Sequence, residues 1–213
     1  MGNNIVITIG RETGSGGHHI GEMLAEKLGI RYYDKELLTL AAKESGFCEE
    51  IFHSYDEKPN RSFLFSTVMD TYAIGGLTTG GANQLPINHK IFLAQFDTIK
   101  KLAEKESCVI IGRCADYALA GCPHVTNIFI SGDEEDKAAR IAKIKDMTLD
   151  KAKDYIAKSD KKRASYYNYY TSKEWGKASS YELCVNSSKL GYEGTVDLIL
   201  EYLHKKEKKS NEN

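Results

Sequence analysis

Ile5-Val6-Ile7-Thr8-Ile9-Gly10-Arg11-Glu12-Thr13-Gly14-Ser15-Gly16-Gly17-His18-His19-Ile20-Gly21 is the stretch on which the fold turns. A β-rich apolar run over 4–9 enters a glycine-rich turn and passes directly into an amphipathic helix. Glycine lets the backbone take conformations that a Cβ would forbid. The freed N–H groups, backed by the positive end of the helix, then point at an anion. The stretch contains no lysine.

Working outward, the helix spans 17–28, with Ile20, Met23, Leu24, Ala25 and Leu28 as its apolar stripe and Gly29 as its stop. A second strand covers 30–33, and Asp34 is placed to cap a helix over 35–45. Periodicity weakens from 46 to 88: a turn at 56–60 around Pro59, a helix at 63–72, and a Gly/Thr/Asn-rich loop at 75–88. A helix is predicted at 90–106 and a strand at 108–111, closed by Gly112-Arg113. A further strand covers 125–130. Ser131 and Glu134 form a capping box for a helix to 145, and Thr148 caps another to about 160. The last strand falls at 181–185 and a closing helix at 194–206, before a polar tail expected to be disordered.

Strand alternating with helix implies a three-layer α/β/α domain around a parallel five-stranded sheet. Ligands in such sheets bind beyond the carboxyl ends of the strands. Three separate segments converge there: residues 11–19, Asp34 and Arg113.

The 213 residues suit one domain, and 41% hydrophobic with 28% charged residues is ordinary for a soluble globular protein. No apolar run approaches the ~18 residues of a membrane span, and no secretory signal pattern opens the chain. Five cysteines, an odd count without a CxxC pair, argue against a disulfide framework or zinc site. Cys108 and Cys184 read as buried, and the compartment as the reducing cytoplasm. Charge is uneven. Residues 137–177 carry ten Lys and two Arg against four Asp and one Glu, a net of +7 in a chain of net −1. This is either a solvated helical face or a clamp over polyphosphate. Nucleic acid does not fit a sequence pI near 6.6.

The glycine-rich turn fits two nucleotide motifs. In the dinucleotide fingerprint GxGxxG, Gly14 and Gly16 supply two glycines, and Asp34 stands where a ribose-binding acid is expected; His19 occupies the third glycine position. In the P-loop GxxxxGK[ST], Gly17 stands in place of the lysine, and a histidine, not a hydroxyl, follows it. A glycine-rich turn without any ligand is the third reading.

Three motifs together resemble the cytidylate kinase-like family: Arg11-Glu12-Thr13-Gly14-Ser15-Gly16-Gly17, Tyr33-Asp34-Lys35-Glu36-Leu37-Leu38, and Val109-Ile110-Ile111-Gly112-Arg113-Cys114-Ala115-Asp116-Tyr117. The likeness continues through Tyr166 to Gly176 and the last strand and helix, so it covers nearly the whole chain. It implies a P-loop nucleoside-monophosphate-kinase fold and ATP- and Mg²⁺-dependent phosphoryl transfer to a small acceptor such as CMP. Residues 1–45, 89–144 and 178–206 would form the core, 46–88 a substrate-binding insertion, and 145–177 a basic helical lid.

On this resemblance Thr13, Gly14, Ser15, Gly16 and Gly17 would hold the ATP phosphates through backbone N–H groups. His18 and His19 would open the helix beside them. Arg11, the nearest permanent cation, would partly replace the missing lysine or lock the loop through Glu12; a plain salt bridge is the alternative. Arg113 would grip the acceptor phosphate bidentately. Cys114 stands where the family has an aspartate, and Asp116 is the substitute considered. Asp34 would lie near the reacting phosphates and magnesium, or simply cap a helix. Asp160 and Arg163 match the lid aspartate and arginine of the family, and Arg140 an arginine on the helix that enters the lid; the two cations would neutralise developing charge. Arg61 is the one arginine of 46–88 and a candidate substrate contact. Tyr166-Tyr167-Asn168-Tyr169-Tyr170 reads as packing of the lid onto the sheet in preference to base stacking.

A non-catalytic nucleotide or phosphometabolite sensor on the same fold is the competing reading, and an NAD-type enzyme the third. The partners expected are a nucleotide and a small phosphorylated substrate, without nucleic acid or membrane. Metal ligands and oligomeric state are not legible in the sequence.

Overall fold

The structure, a computed structural model, describes residues 4–46, 48–55 and 86–211. The turn expected at 56–60, the helix at 63–72, most of the loop at 75–88 and Arg61 lie outside the described residues.

In chain order the elements are β1 (Val6–Arg11), α1 (Gly17–Leu28), β2 (Arg31–Tyr33), α2 (Glu36–Ser45), α3 (Glu49–Tyr55) and α4 (Ile87–Lys105). Then come β3 (Cys108–Ile111), α5 (Ala115–Ala118), β4 (Val125–Ser131), α6 (Glu134–Lys145) and α7 (Leu149–Thr171). A 3₁₀ turn (Ala178–Ser180), β5 (Leu183–Asn186) and α8 (Ser187–Asn211) complete the order. The sheet runs β2-β3-β1-β4-β5, all parallel.

The apolar strands are buried on both faces, as parallel sheets require. Ile7, Ile9, Val109 and Ile111 pack with Ile20 and Leu24 of α1 and Val196 and Ile199 of α8. Val6, Cys108 and Ile110 pack on the opposite side with Leu37, Ile99 and Leu102 from α2 and α4. The period-2 alternation of β1 and β3 thus supplies both layers. β1 lies in the centre, so its carboxyl end opens the site between two neighbouring strands.

Several expectations change. α4 starts at Ile87, with Pro86 at its N-cap in extended conformation (φ −54, ψ 147). The capping box at Ser131 does not form. That residue ends β4, its hydroxyl donates to the Val185 carbonyl at 3.3 Å, and Asp133 is the N-cap of α6. Asp34 caps nothing, because its carboxylate is drawn to Arg113 and Lys35 holds the cap position of α2. Thr148 does cap α7, accepting from the Lys151 N–H at 3.4 Å.

α7 then runs eleven residues beyond the end expected at 160, because burial of Tyr166, Tyr167 and Tyr170 rewards its continuation. Phe92 of α4 stacks on Tyr170 with ring centroids 4.0 Å apart. Tyr166, Tyr167 and Tyr170 thus pack in one cluster with Phe92 and Leu93 of α4. α8 is two helical stretches broken at Gly191 (φ 68, ψ −177), and the second continues through the tail expected to be disordered. Lys206 ties this end down, donating to the Val125 carbonyl at 2.8 Å and Glu182 at 2.6 Å. Cys184 is exposed, not buried: it sits on the edge strand, facing away from the core side that Val185 fills. No helix among the described residues is long and apolar enough to cross a membrane.

Candidate active site at the carboxyl ends of the strands

The glycine-rich turn carries Gly14 at φ 82 and Gly16 at φ 80, both in the left-handed region where a side chain is strained. Space demands glycine as well. A Cβ at residue 14 would meet the Lys137 carbonyl at 2.9 Å, and one at residue 16 the Tyr192 ring at 2.3 Å. α6 and α8 therefore press directly on the turn.

The amides of the turn divide into two sets. Thr13 N–H donates to Asp160 Oδ1 at 2.8 Å, Ser15 N–H to the Glu12 carbonyl at 3.3 Å, and Gly17 N–H to Ser15 Oγ at 3.3 Å. Those three serve the protein itself. Ser15 is fully buried beneath the turn, and its carbonyl accepts from Ser187 Oγ at 2.6 Å. The N–H groups of Gly14, Gly16, His18 and His19 have no protein acceptor among the described residues. The last two are orphan donors of the first turn of α1, where the helix dipole favours a negative charge.

A cleft of about 400 Å³ opens over this set. Arg11, Thr13, Gly14, Gly16, Gly17, His18 and His19 line it, with Asp34, Arg113, Arg140 and Arg163. Four guanidinium-bearing side chains from β1, the β3 end, α6 and α7 thus meet at one place. Of the residues singled out in the sequence, Ser15 lies beneath the turn, Asp160 sits behind Thr13, and Asp116 lines a separate cavity of about 20 Å³. Arg11, Arg113 and Arg163 line both cavities.

Arg113 is buried and donates to Asp34 and to the Ile111 carbonyl, the latter at 3.0 Å. The turn that aims it is strained: Gly112, Arg113 and Cys114 have φ of 68, 51 and 56. Left-handed conformations at non-glycine residues cost roughly 1–2 kcal/mol each, so packing must hold this turn. His18 Nδ1 lies 3.1 Å from Asp34 Oδ2 and contacts the Tyr32 hydroxyl. Burial works against the charge of Asp34, but Arg113, with Arg11 and His18, outweighs it and holds the carboxyl below its ordinary range.

Arg163 donates to Thr13 Oγ1 at 2.8 Å and stands 3.7 Å from Asp160. Burial pushes the Asp160 carboxyl up, partly offset by its bonds to Thr13 and by Arg163. The basic helix is consequently docked on the turn through a carboxylate and a guanidinium. Asp116 is buried and accepts the Tyr167 hydroxyl at 2.6 Å; burial raises its carboxyl as well. It ties α5 to α7 at the smaller cavity.

Lys137 was not distinguished in the sequence from its basic neighbours. Its ammonium, nearly buried, bonds Glu12 Oε2 at 2.7 Å, and Gly132 N–H reaches the same oxygen at 3.1 Å. One signal was present: a lysine near the N-terminus of a helix opposes the dipole and calls for a carboxylate. Arg140, one turn on, donates to the Gly14 carbonyl at 2.9 Å and lies 5.1 Å over the Tyr192 ring. Tyr192 left no local signal, since only the tertiary fold brings α8 against residue 16. Among the described residues no three His, Cys, Asp or Glu side chains gather as a metal cage.

The chain is similar to known proteins over nearly its full length. The profile of the cytidylate kinase-like family matches residues 6–189. A protein of Archaeoglobus fulgidus called cytidylate kinase is 27% identical over 199 residues, 91% of this chain and 92% of that one. The crystal structure of an uncharacterized protein from Eubacterium ventriosum superposes with a TM-score of 0.68 at 30% identity, covering 94% of this chain and 99% of that one. A shikimate kinase from Bacteroides thetaiotaomicron shares the fold, with a TM-score of 0.51 at 14% identity over 94% of this chain and 98% of its own. On its sequence and its fold, the chain belongs to the cytidylate kinase-like family.

Proposed function

We propose that the protein transfers the γ-phosphoryl group of ATP to a small phosphorylated acceptor, of the nucleoside-monophosphate class that includes CMP. One observation carries this reading: four arginines and a set of amides with no protein acceptor among the described residues converge on a single cleft at the carboxyl end of the sheet. Membership of a family named for cytidylate kinase supports it.

Phosphoryl transfer depends on positioning and charge stabilisation more than on covalent chemistry. The amides of Gly14, Gly16, His18 and His19 would bind the donor phosphates. Arg140 on α6 and Arg163 on α7 would neutralise charge developing on the transferred group, with the lid at 145–177 excluding water. Arg113, held by Asp34 and the Ile111 carbonyl, would orient the acceptor phosphate. The segment 46–88, with Arg61, would contribute acceptor recognition.

Magnesium is usually bound through one or two carboxylates plus substrate phosphates, keeping several waters. Asp34, kept ionised beside the cleft, fits that demand. The ion would supply charge neutralisation at the phosphates. The compartment proposed is the cytoplasm, and the partners are nucleotides and small phosphorylated molecules.

A sensor without turnover is the second reading. It is favoured by the glycine at 17, where a lysine would otherwise touch the phosphates. ADP release is to be measured from ATP and Mg²⁺ with a panel of nucleoside monophosphates and small phosphorylated acceptors. Turnover with any acceptor supports the kinase. ATP binding without turnover across the panel supports the sensor. A larger thermal shift with NAD than with ATP would defeat both.

A further inference from the structure

Gly17 is the first residue of α1, and its φ is not positive, so the backbone does not demand glycine there. Glycine in a helix costs up to about 1 kcal/mol relative to alanine. Space supplies the reason. A Cβ at residue 17 would lie 2.5 Å from Arg11 Cβ and 3.1 Å from Arg11 Cγ. Those atoms are the rigid root of a side chain anchored on the central strand. Arg11 thus fills the volume into which a side chain at 17 would leave the helix. Its guanidinium charge acts on Asp34 and Tyr32, and the residue lines the cleft.

We infer that Arg11 and Gly17 are an interlocked pair, in which the cation facing the donor phosphates comes from the end of β1 and residue 17 must be glycine to let it pass. The inference rests on the kinase reading for the identity of the anion, a nucleoside triphosphate. It accounts for both departures from the usual pattern, the absent lysine and the extra glycine, with one steric fact. A guanidinium anchored on a strand stays charged at any physiological pH and can grip two phosphate oxygens at once. A lysine on the helix would present a single flexible point charge.

The test uses the full chain with ATP and inorganic tripolyphosphate as probes, read by thermal melting and equilibrium binding. The nearest atom is Arg11 Cβ, so alanine at 11 does not open the space and glycine is needed. Arg11→Gly is expected to fold and to weaken both probes by about tenfold to a hundredfold, as loss of charged hydrogen bonds implies. Gly17→Lys alone is expected to melt far below the parent or fail to fold. The double variant Arg11→Gly/Gly17→Lys is expected to recover folding and to bind more tightly than Arg11→Gly. Gly17→Ala provides a ligand-free check: it should lower the melting temperature clearly in the parent and much less in the Arg11→Gly background.

Parent-like affinity in Arg11→Gly, with the parent binding ATP, would overturn this inference and leave the kinase reading standing. So would equal effects of Gly17→Ala in the two backgrounds. A parent that binds neither ATP nor tripolyphosphate would overturn the kinase reading and, with it, the role given to Arg11.

Discussion

Replacing Arg163 with alanine should separate catalysis from stability. In the fold, Arg163 donates to Thr13 Oγ1 at 2.8 Å and pairs with Asp160 at 3.7 Å, with about a fifth of its side chain still exposed to solvent. The hydrogen bond contributes about 1 kcal/mol net and a partly screened pair less than that. The Asp160 carboxylate left behind can take up a proton, because burial already pushes its carboxyl up, and this limits the penalty. These two interactions come to about 1–2 kcal/mol, or roughly 2–8 °C in Tm for a domain of this size. If Arg163 stabilises the transferring phosphoryl group, kcat falls by about 10³ or more. The assay pairs ADP release at saturating ATP with a melting curve of the same preparation. Arg163→Lys, which keeps the charge but loses the fork, should fall between. Full turnover in Arg163→Ala, or a loss no larger than the loss of folded protein, would remove Arg163 of α7 from the chemistry.

Asp34→Asn leaves buried Arg113 without its counter-charge and should cost about 3–5 kcal/mol at pH 7. Because the folded carboxyl is held below 3.8, the stability it contributes is complete above about pH 5 and is lost as pH falls through the folded value. The Tm gap between parent and variant should therefore be flat from pH 7 to 5 and narrow in stronger acid; a gap that widens on acidification contradicts the pairing. Gly16→Ala should weaken ATP binding sharply, since the new Cβ meets both an unfavourable φ of 80 and the Tyr192 ring at 2.3 Å. Adding Tyr192→Ala should return part of the lost stability but not all, because the backbone strain remains. Unchanged ATP affinity in Gly16→Ala would take the turn out of the binding site.

How much was legible follows from the range of the interactions. α1 lies at 17–28 and β3 at 108–111, as periodicity and the stop at Gly29 predict. Stripe, alternation and left-handed glycine are all written within a few residues of each other. The strand order could not be read locally, yet it puts β1 between β3 and β4 and so decides what meets the turn. Failures at Ser131 and Asp34 share a cause: a local cap lost to a partner that only folding brings near. The tyrosine run shows the reverse, since its packing role was legible but not the helix extension it causes.

The sequence by itself determined an α/β domain with a glycine-rich turn after its first strand, because glycine conformations and apolar periodicity act between near neighbours. Only the tertiary structure decided how that turn is held and which of its amides remain for a ligand. Asp160 reaches Thr13 across 147 residues of chain, Lys137 reaches Glu12 across 125, and Ser187 reaches Ser15 across 172. Such contacts depend on sheet order and helix docking, which no stretch of neighbouring residues encodes.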